Sequence, residues 1–176
     1  MHRFTTLVLA AAFLSAGALQ AQTLKDHIGE AKGVWANIRD SFIRQADAMP
    51  EESYGFKAAA DTRNFGEVIA HIADSQAGMC SAVSGTAKKV DAAAKKTKTE
   101  IIAALKEASA HCDAAWEGIT DANAFDQLNM MGKRSKLGLL EFNTLHTEDE
   151  LGYSSVFLRL KSVVPPGSVP RGRGRD

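Results

Sequence analysis

The sequence has no excess of charge of one sign, because its 21 Lys and Arg residues balance its 21 Asp and Glu residues. Nucleic-acid binding needs a concentrated basic face, so this composition argues against nucleic acid as a partner. The chain also has no internal repeat and no Cys-x-x-Cys-His motif, and the missing motif disfavours covalently bound haem. What remains is a chain of 176 residues with 45% hydrophobic content, which is enough for one globular domain with a proper core.

A long hydrophobic run is also missing. The apolar run Leu7–Leu14 follows a basic start and precedes small residues, and it is too short to span a bilayer comfortably. This pattern predicts a signal peptide at residues 1–21, with cleavage after Ala21 or Ala18, and an exported protein, periplasmic or secreted. After cleavage no stable membrane insertion is expected. A retained N-terminal anchor is the alternative.

Cysteine is scarce, since the chain contains only Cys80 and Cys112. Export makes the two thiols candidates for a disulfide. If they lie on consecutive antiparallel helices, however, Cys80 sits near the connecting loop and Cys112 far from it. That offset favours two buried free thiols, while the disulfide stays open as the alternative.

Four amphipathic helices account for most of the chain. The first runs from Thr23, which with Asp26 resembles a capping box, to Met49 before Pro50. Further helix starts are predicted at Asn64, Thr97 and Ser135. No credible strand is present, and residues 118–136 read as irregular. The pattern therefore predicts an all-α, antiparallel four-helix bundle at residues 22–168, followed by a disordered basic tail at 169–176.

The last helix carries an unusual apolar stripe, because a histidine and a glutamate interrupt it one turn apart. Burying an unpaired carboxylate is costly, so Glu150 must reach water, meet a positive partner or help to bind a metal cation. Two polar neighbours, Asn143 and Tyr153, are candidates for orienting a ligand or donating to a substrate, or else simply pack. By the i, i+3/i+4 rule the stripe comprises Leu139, Phe142, Asn143, His146, Glu150, Tyr153, Phe157 and Leu160.

Several separated segments resemble the DinB-like family, the metal-binding four-helix bundles rather than the DNA polymerase that shares the name. The resemblance covers about Val34 to Ser168. It rests on four segments in the expected order, namely Met49-Pro-Glu-Glu-Ser-Tyr-Gly-Phe, Phe65-Gly-Glu-Val-Ile-Ala-His71-Ile-Ala-Asp, Leu140-Glu-Phe-Asn143-Thr-Leu-His146, and the stretch from Tyr153 to Val164-Pro-Pro-Gly-Ser168.

This resemblance implies a divalent metal ion, usually held by three histidines, one on the second helix and two at i and i+4 on the last helix. His71 and His146 match the first two positions, whereas Glu150 stands where the family has its third histidine. Two imidazoles and one carboxylate are also a good ligand set, used by zinc hydrolases and by non-haem iron sites. The expected metal ligands are therefore His71, His146 and Glu150, with Zn, Ni or Fe as the metal.

Two functions stay open at this stage. The first is an exported metal-dependent enzyme acting on an unknown small-molecule substrate. Family members include thiol-dependent transferases and hydrolases, and export favours hydrolysis because low-molecular-weight thiols are cytosolic. The second is a non-catalytic bundle that binds a small molecule or metal, with a degenerate site in which His71 and Glu150 form an ion pair or hydrogen bond. The sequence also leaves a homodimer open.

Overall fold

The computed structural model describes the backbone of residues 3–168 and the side chains of residues 24–168. Within residues 24–168 no helix combines the length and hydropathy needed to cross a bilayer. The predicted tail at 169–176 lies outside the described residues. The predicted signal peptide at 1–21 stays a prediction.

Four helices form the fold, as the sequence predicts: α1 (Arg3–Ala48), α2 (Phe65–Ser84), α3 (Lys98–Glu117) and α4 (Lys136–Leu160). Asn64 and Thr97 cap α2 and α3 through complete capping boxes, and the Ser135 side chain caps α4. The predicted helix start at Thr23 is wrong for the full chain, because α1 continues through this residue from Arg3.

A small hairpin corrects the expectation that the chain has no strand. Strands β1 (Gln127–Asn129) and β2 (Lys133–Ser135) pair antiparallel, with Gln127 opposite Ser135. The turn between them needs positive φ at Met131 (51°) and Gly132 (92°), and glycine adopts this conformation at little cost. Strands of three residues are too short to show an alternating pattern, so no periodicity predicts them.

Helices α2 and α3 run parallel, not antiparallel. The connection between them folds back along α2, where the Asp74 carboxylate accepts hydrogen bonds from the backbone N–H groups of Ala92 (2.8 Å) and Ala93 (3.0 Å). Helix α3 therefore begins beside the start of α2, close to Gly66. Helix α4 is antiparallel to α2 and parallel to α1.

The parallel arrangement brings the cysteines together in a disulfide, with a Cα–Cα distance of 5.1 Å. The favoured prediction of two free thiols is therefore wrong. Its error was the assumption that consecutive helices are antiparallel, because in the parallel pair both Cys80 and Cys112 lie toward the C-terminal ends of their helices. Both residues are fully buried.

Two buried glutamines join the helices through hydrogen bonds within the core. Gln45 of α1 donates to Ser155 (2.7 Å) and accepts from Ser154 (2.5 Å), which joins α1 to α4. Gln76 of α2 accepts from Ser109 (3.0 Å) and donates to Thr147 (3.3 Å), which joins α2 to α3 and α4. These bonds satisfy buried groups that would otherwise destabilise the core, and they fix the relative positions of the helices.

Candidate metal centre

The structure brings together the three side chains that the sequence singles out. His71 lies on α2, and His146 and Glu150 lie one turn apart on α4. One ligand atom from each residue lies within 4.8 Å of the other two, and all three residues are half-buried. The Nε2 atoms of the two histidines are 3.2 Å apart.

Two features of the backbone produce this arrangement. The spacing of four residues places His146 and Glu150 on one side of α4, with Cβ atoms about 6 Å apart. The antiparallel contact between α2 and α4 supplies the third side chain, and the hydrogen bond from Gln76 to Thr147 holds the two helices in register next to the site.

An unpartnered carboxylate oxygen at the site fits a cation. Among the described side chains, Glu150 Oε2 is buried without a hydrogen-bond partner. A buried carboxylate oxygen without a partner is unfavourable, and a divalent ion would compensate for it. The distance of 3.2 Å between the imidazole nitrogens also matches the edge of a tetrahedral site, about 3.3 Å for Zn–N bonds of about 2.0–2.1 Å.

The electrostatics of the site favour the metal-binding protonation state of His71. Burial lowers the pKa of His71, as do the nearby Arg63 and His146, while Asp74 opposes the shift. His71 is therefore neutral at physiological pH, which is the form that binds a metal. Burial raises the pKa of Glu150, with Arg63 and His146 opposing, so an ionised Glu150 is less stable here than in water.

Comparison with known proteins identifies the family. The model of the DinB superfamily matches residues 35–154, well over half of the chain. The chain belongs to the DinB superfamily. Metal binding is frequent in this superfamily, and the cluster of His71, His146 and Glu150 is a candidate site for it.

Two solved structures show the same fold. A DinB-like protein from Bacillus cereus ATCC 10987 is 18% identical, with a TM-score of 0.64 over 76% of this chain and 91% of that chain. A DinB-like protein from Bacillus subtilis is 17% identical, with a TM-score of 0.63 over 76% of this chain and 92% of that chain. A search of curated proteins finds no match.

An aromatic ring supports His146 in this DinB bundle. The ring of Phe142 stacks on the His146 imidazole, with centroids 6.3 Å apart and planes inclined by 19°. Arg134 of strand β2 lies over the Phe142 ring, with its Cζ 4.3 Å from the ring centroid. Sequence reasoning missed Arg134 because it did not predict the hairpin.

The other polar residues of the α4 stripe contact groups outside the set of three candidate ligands. Asn143 is fully buried and its Nδ2 points to the sulfur of Cys112 at 3.7 Å. Tyr153 packs edge-on against Phe157, with centroids 4.9 Å apart. The structure therefore favours packing for Tyr153 and a core position near the disulfide for Asn143, in place of the ligand-orienting and donating roles considered from the sequence.

A cavity of about 680 Å³ adjoins the candidate centre of this DinB protein. It lies between the first half of α2 and the α2–α3 connection, and His71 is part of its wall. Arg63, which acts electrostatically on both His71 and Glu150, also lines it. Arg63 lies in the loop before α2, where no helical periodicity marks a residue as facing a site.

Proposed function

We propose that this DinB protein is exported and binds a divalent metal ion, Zn, Ni or Fe, through His71, His146 and Glu150, and that it uses the ion to hydrolyse a small molecule. One observation carries the proposal. Three side chains with metal-ligand chemistry converge from two helices, and the carboxylate among them has a buried oxygen without a protein partner.

The ligand set is suited to hydrolysis. When bound, the ion supplies Lewis acidity that activates water at neutral pH. The three protein ligands leave a coordination position open for this water or for a substrate oxygen. Burial of His71 keeps it neutral, and the stack of Phe142 on His146 holds the second imidazole in place.

The disulfide supports export. Disulfides persist in oxidising compartments and are rare in the cytosol. A buried bridge between Cys80 and Cys112 fits the signal-peptide pattern of residues 1–21. Export in turn favours hydrolysis over thiol transfer, because the low-molecular-weight thiols that such transferases use are cytosolic.

A non-catalytic bundle with a degenerate site is the second candidate. It is favoured by the contact between the two histidines, since neutral imidazoles 3.2 Å apart can form a hydrogen bond without any metal. Arg63 also supplies positive charge near Glu150, which reduces the need for a cation there.

Metal analysis of untagged protein purified from the periplasm separates the two candidates. The proposal predicts about one equivalent of metal in the unaltered protein, with loss in Glu150→Gln, because the amide is a weak ligand. Glu148→Gln is the matched control, since Glu148 is exposed on the same helix and should keep its metal.

The opposite pattern would refute the metalloenzyme. Little metal in the unaltered protein, together with full occupancy in Glu150→His, would identify a site that has lost its metal. If metal is present, a screen against ester, amide and phosphoester substrates tests hydrolysis, with Glu150→Gln as the inactive reference.

A further inference from the structure

The cavity beside the candidate metal centre has the size of a small-molecule site. Its volume of about 680 Å³ falls within the range of about 300–1,000 Å³ that is common for such sites. Its walls come from the end of the first interhelical loop, the first half of α2 and the α2–α3 connection. The lining residues are Tyr54, Gly55, Arg63, Asn64, Gly66, Glu67, Ala70, His71, Asp74, Ala92, Ala93, Lys95, Lys96 and Ile101.

Three cations line this cavity without an ion pair. Arg63, Lys95 and Lys96 all contribute to its wall. Among the side chains of residues 24–168, none of the three has a carboxylate oxygen within 4.0 Å. Their charged groups are therefore available to a ligand.

The two carboxylates in the wall are already engaged by the backbone. Glu67 accepts a hydrogen bond from the Asn64 N–H (2.8 Å). Asp74 accepts from the N–H groups of Ala92 and Ala93. Both carboxylates hold the wall in place, and their negative charge is partly compensated by these donors.

The first N–H groups of α2 cannot supply an anion site, because they are satisfied within the protein. The N–H of Phe65 donates to Phe56 O (3.0 Å), and that of Gly66 to Tyr54 O (2.8 Å). The N–H of Glu67 donates to the Asn64 side chain (2.8 Å). Arg63, Lys95 and Lys96 are therefore the cationic groups of the wall that can bind a negative group in the cavity.

The cavity and the candidate metal centre share His71. A molecule in the cavity therefore lies next to the ligand cluster. We propose that the cavity binds the anionic end of the substrate, a carboxylate or phosphate, through Arg63, Lys95 and Lys96, and directs its other end toward His71. As a substrate site the inference rests on the proposed function, but anion binding itself needs no metal.

The test is a titration of EDTA-treated protein in low-salt buffer, followed by amide chemical shifts. The probes are inorganic phosphate, succinate and the neutral analogue succinamide. Low salt is needed because exposed charges are screened strongly at physiological ionic strength. We expect saturable shifts with phosphate and succinate around Ala92 and Ala93 and none with succinamide, and the tighter of the two anions indicates the substrate class.

Variants connect the binding to the three cations. The double variant Lys95→Gln/Lys96→Gln should raise Kd about tenfold, as two exposed charge contacts are lost. Arg63→Gln should also weaken binding. Lys133→Gln is the control, because Lys133 is exposed on the hairpin and does not line the cavity.

Several results would overturn the anion site. These are no saturable shifts in the metal-free protein, equal affinity in all variants, or binding that requires added zinc and is unchanged in Arg63→Gln. The last result would leave the metal proposal intact. Conversely, anion binding in a protein that binds no zinc, nickel or iron would refute the metal function and leave the anion site standing.

Discussion

Reduction of the buried disulfide should destabilise the protein strongly. Cys80 and Cys112 are 32 residues apart, and the loop-entropy relation for a closed loop of this length gives about 3.7 kcal/mol at 25 °C. Domains are stable by only about 5–15 kcal/mol, so the bridge would supply a quarter or more of the total.

The assay is urea unfolding of the unaltered protein with and without reductant, monitored by circular dichroism. At about 2–4 °C for each kcal/mol, the reduced protein should also melt roughly 7–15 °C lower. The variant Cys80→Ala/Cys112→Ala is the control, since reductant should not change its stability.

Two results would contradict a stabilising disulfide between Cys80 and Cys112. Equal stability of oxidised and reduced protein, within about 1 kcal/mol, would contradict the entropic account of the bridge. Two reactive thiols in the unfolded, non-reduced protein would show that the bridge is absent. That second result would also remove the structural support for export.

Three further predictions concern the site and the core. In EDTA-treated protein, Glu150→Gln should raise the unfolding midpoint at pH 8 and make little difference at pH 4. The pKa of Glu150 is raised from 4.5 in the folded protein, so the fold loses stability as pH rises through the folded-state pKa and Glu150 ionises, whereas glutamine stays neutral. Phe142→Ala should weaken metal binding about tenfold in a chelator competition, since it removes the ring that stacks on His146. Gln76→Ala should destabilise the fold by about 2 kcal/mol in urea, because the buried Ser109 hydroxyl loses its acceptor and the buried Thr147 hydroxyl loses one of its two hydrogen bonds.

A specific result would contradict each of the three predictions. For Glu150→Gln, that result is a stability difference from the unaltered protein that does not depend on pH. Leu145→Ala is the control for the other two, because Leu145 is 62% exposed on α4. Effects of Phe142→Ala or Gln76→Ala no larger than those of Leu145→Ala would show that the contacts described for these residues contribute little.

The starts of α2, α3 and α4 could be predicted because their signals are local. Asn64 and Thr97 each bond to a glutamate three residues later, and Ser135 caps α4 alone. The direction of α3 could not be predicted in this way. It depends on bonds from Asp74 to a connection eighteen and nineteen residues further along the chain, and no periodicity reports such contacts.

Local sequence patterns likewise predict some residues of the candidate site and not others. The spacing of His146 and Glu150 is visible in the sequence because it lies within one helix. Placing His71 beside them needed the resemblance to a family, since α2 and α4 are far apart in the chain. Arg63 and Arg134 were missed because they reach the site from a loop and from an unexpected hairpin.

Anomalous diffraction from crystals grown with millimolar zinc would show whether His71, His146 and Glu150 bind a metal ion. We expect one anomalous peak within about 2.0–2.2 Å of an imidazole nitrogen of His71, an imidazole nitrogen of His146 and a carboxylate oxygen of Glu150. No peak at this position, or a peak bound by both histidines with Glu150 turned away, would contradict the proposed site.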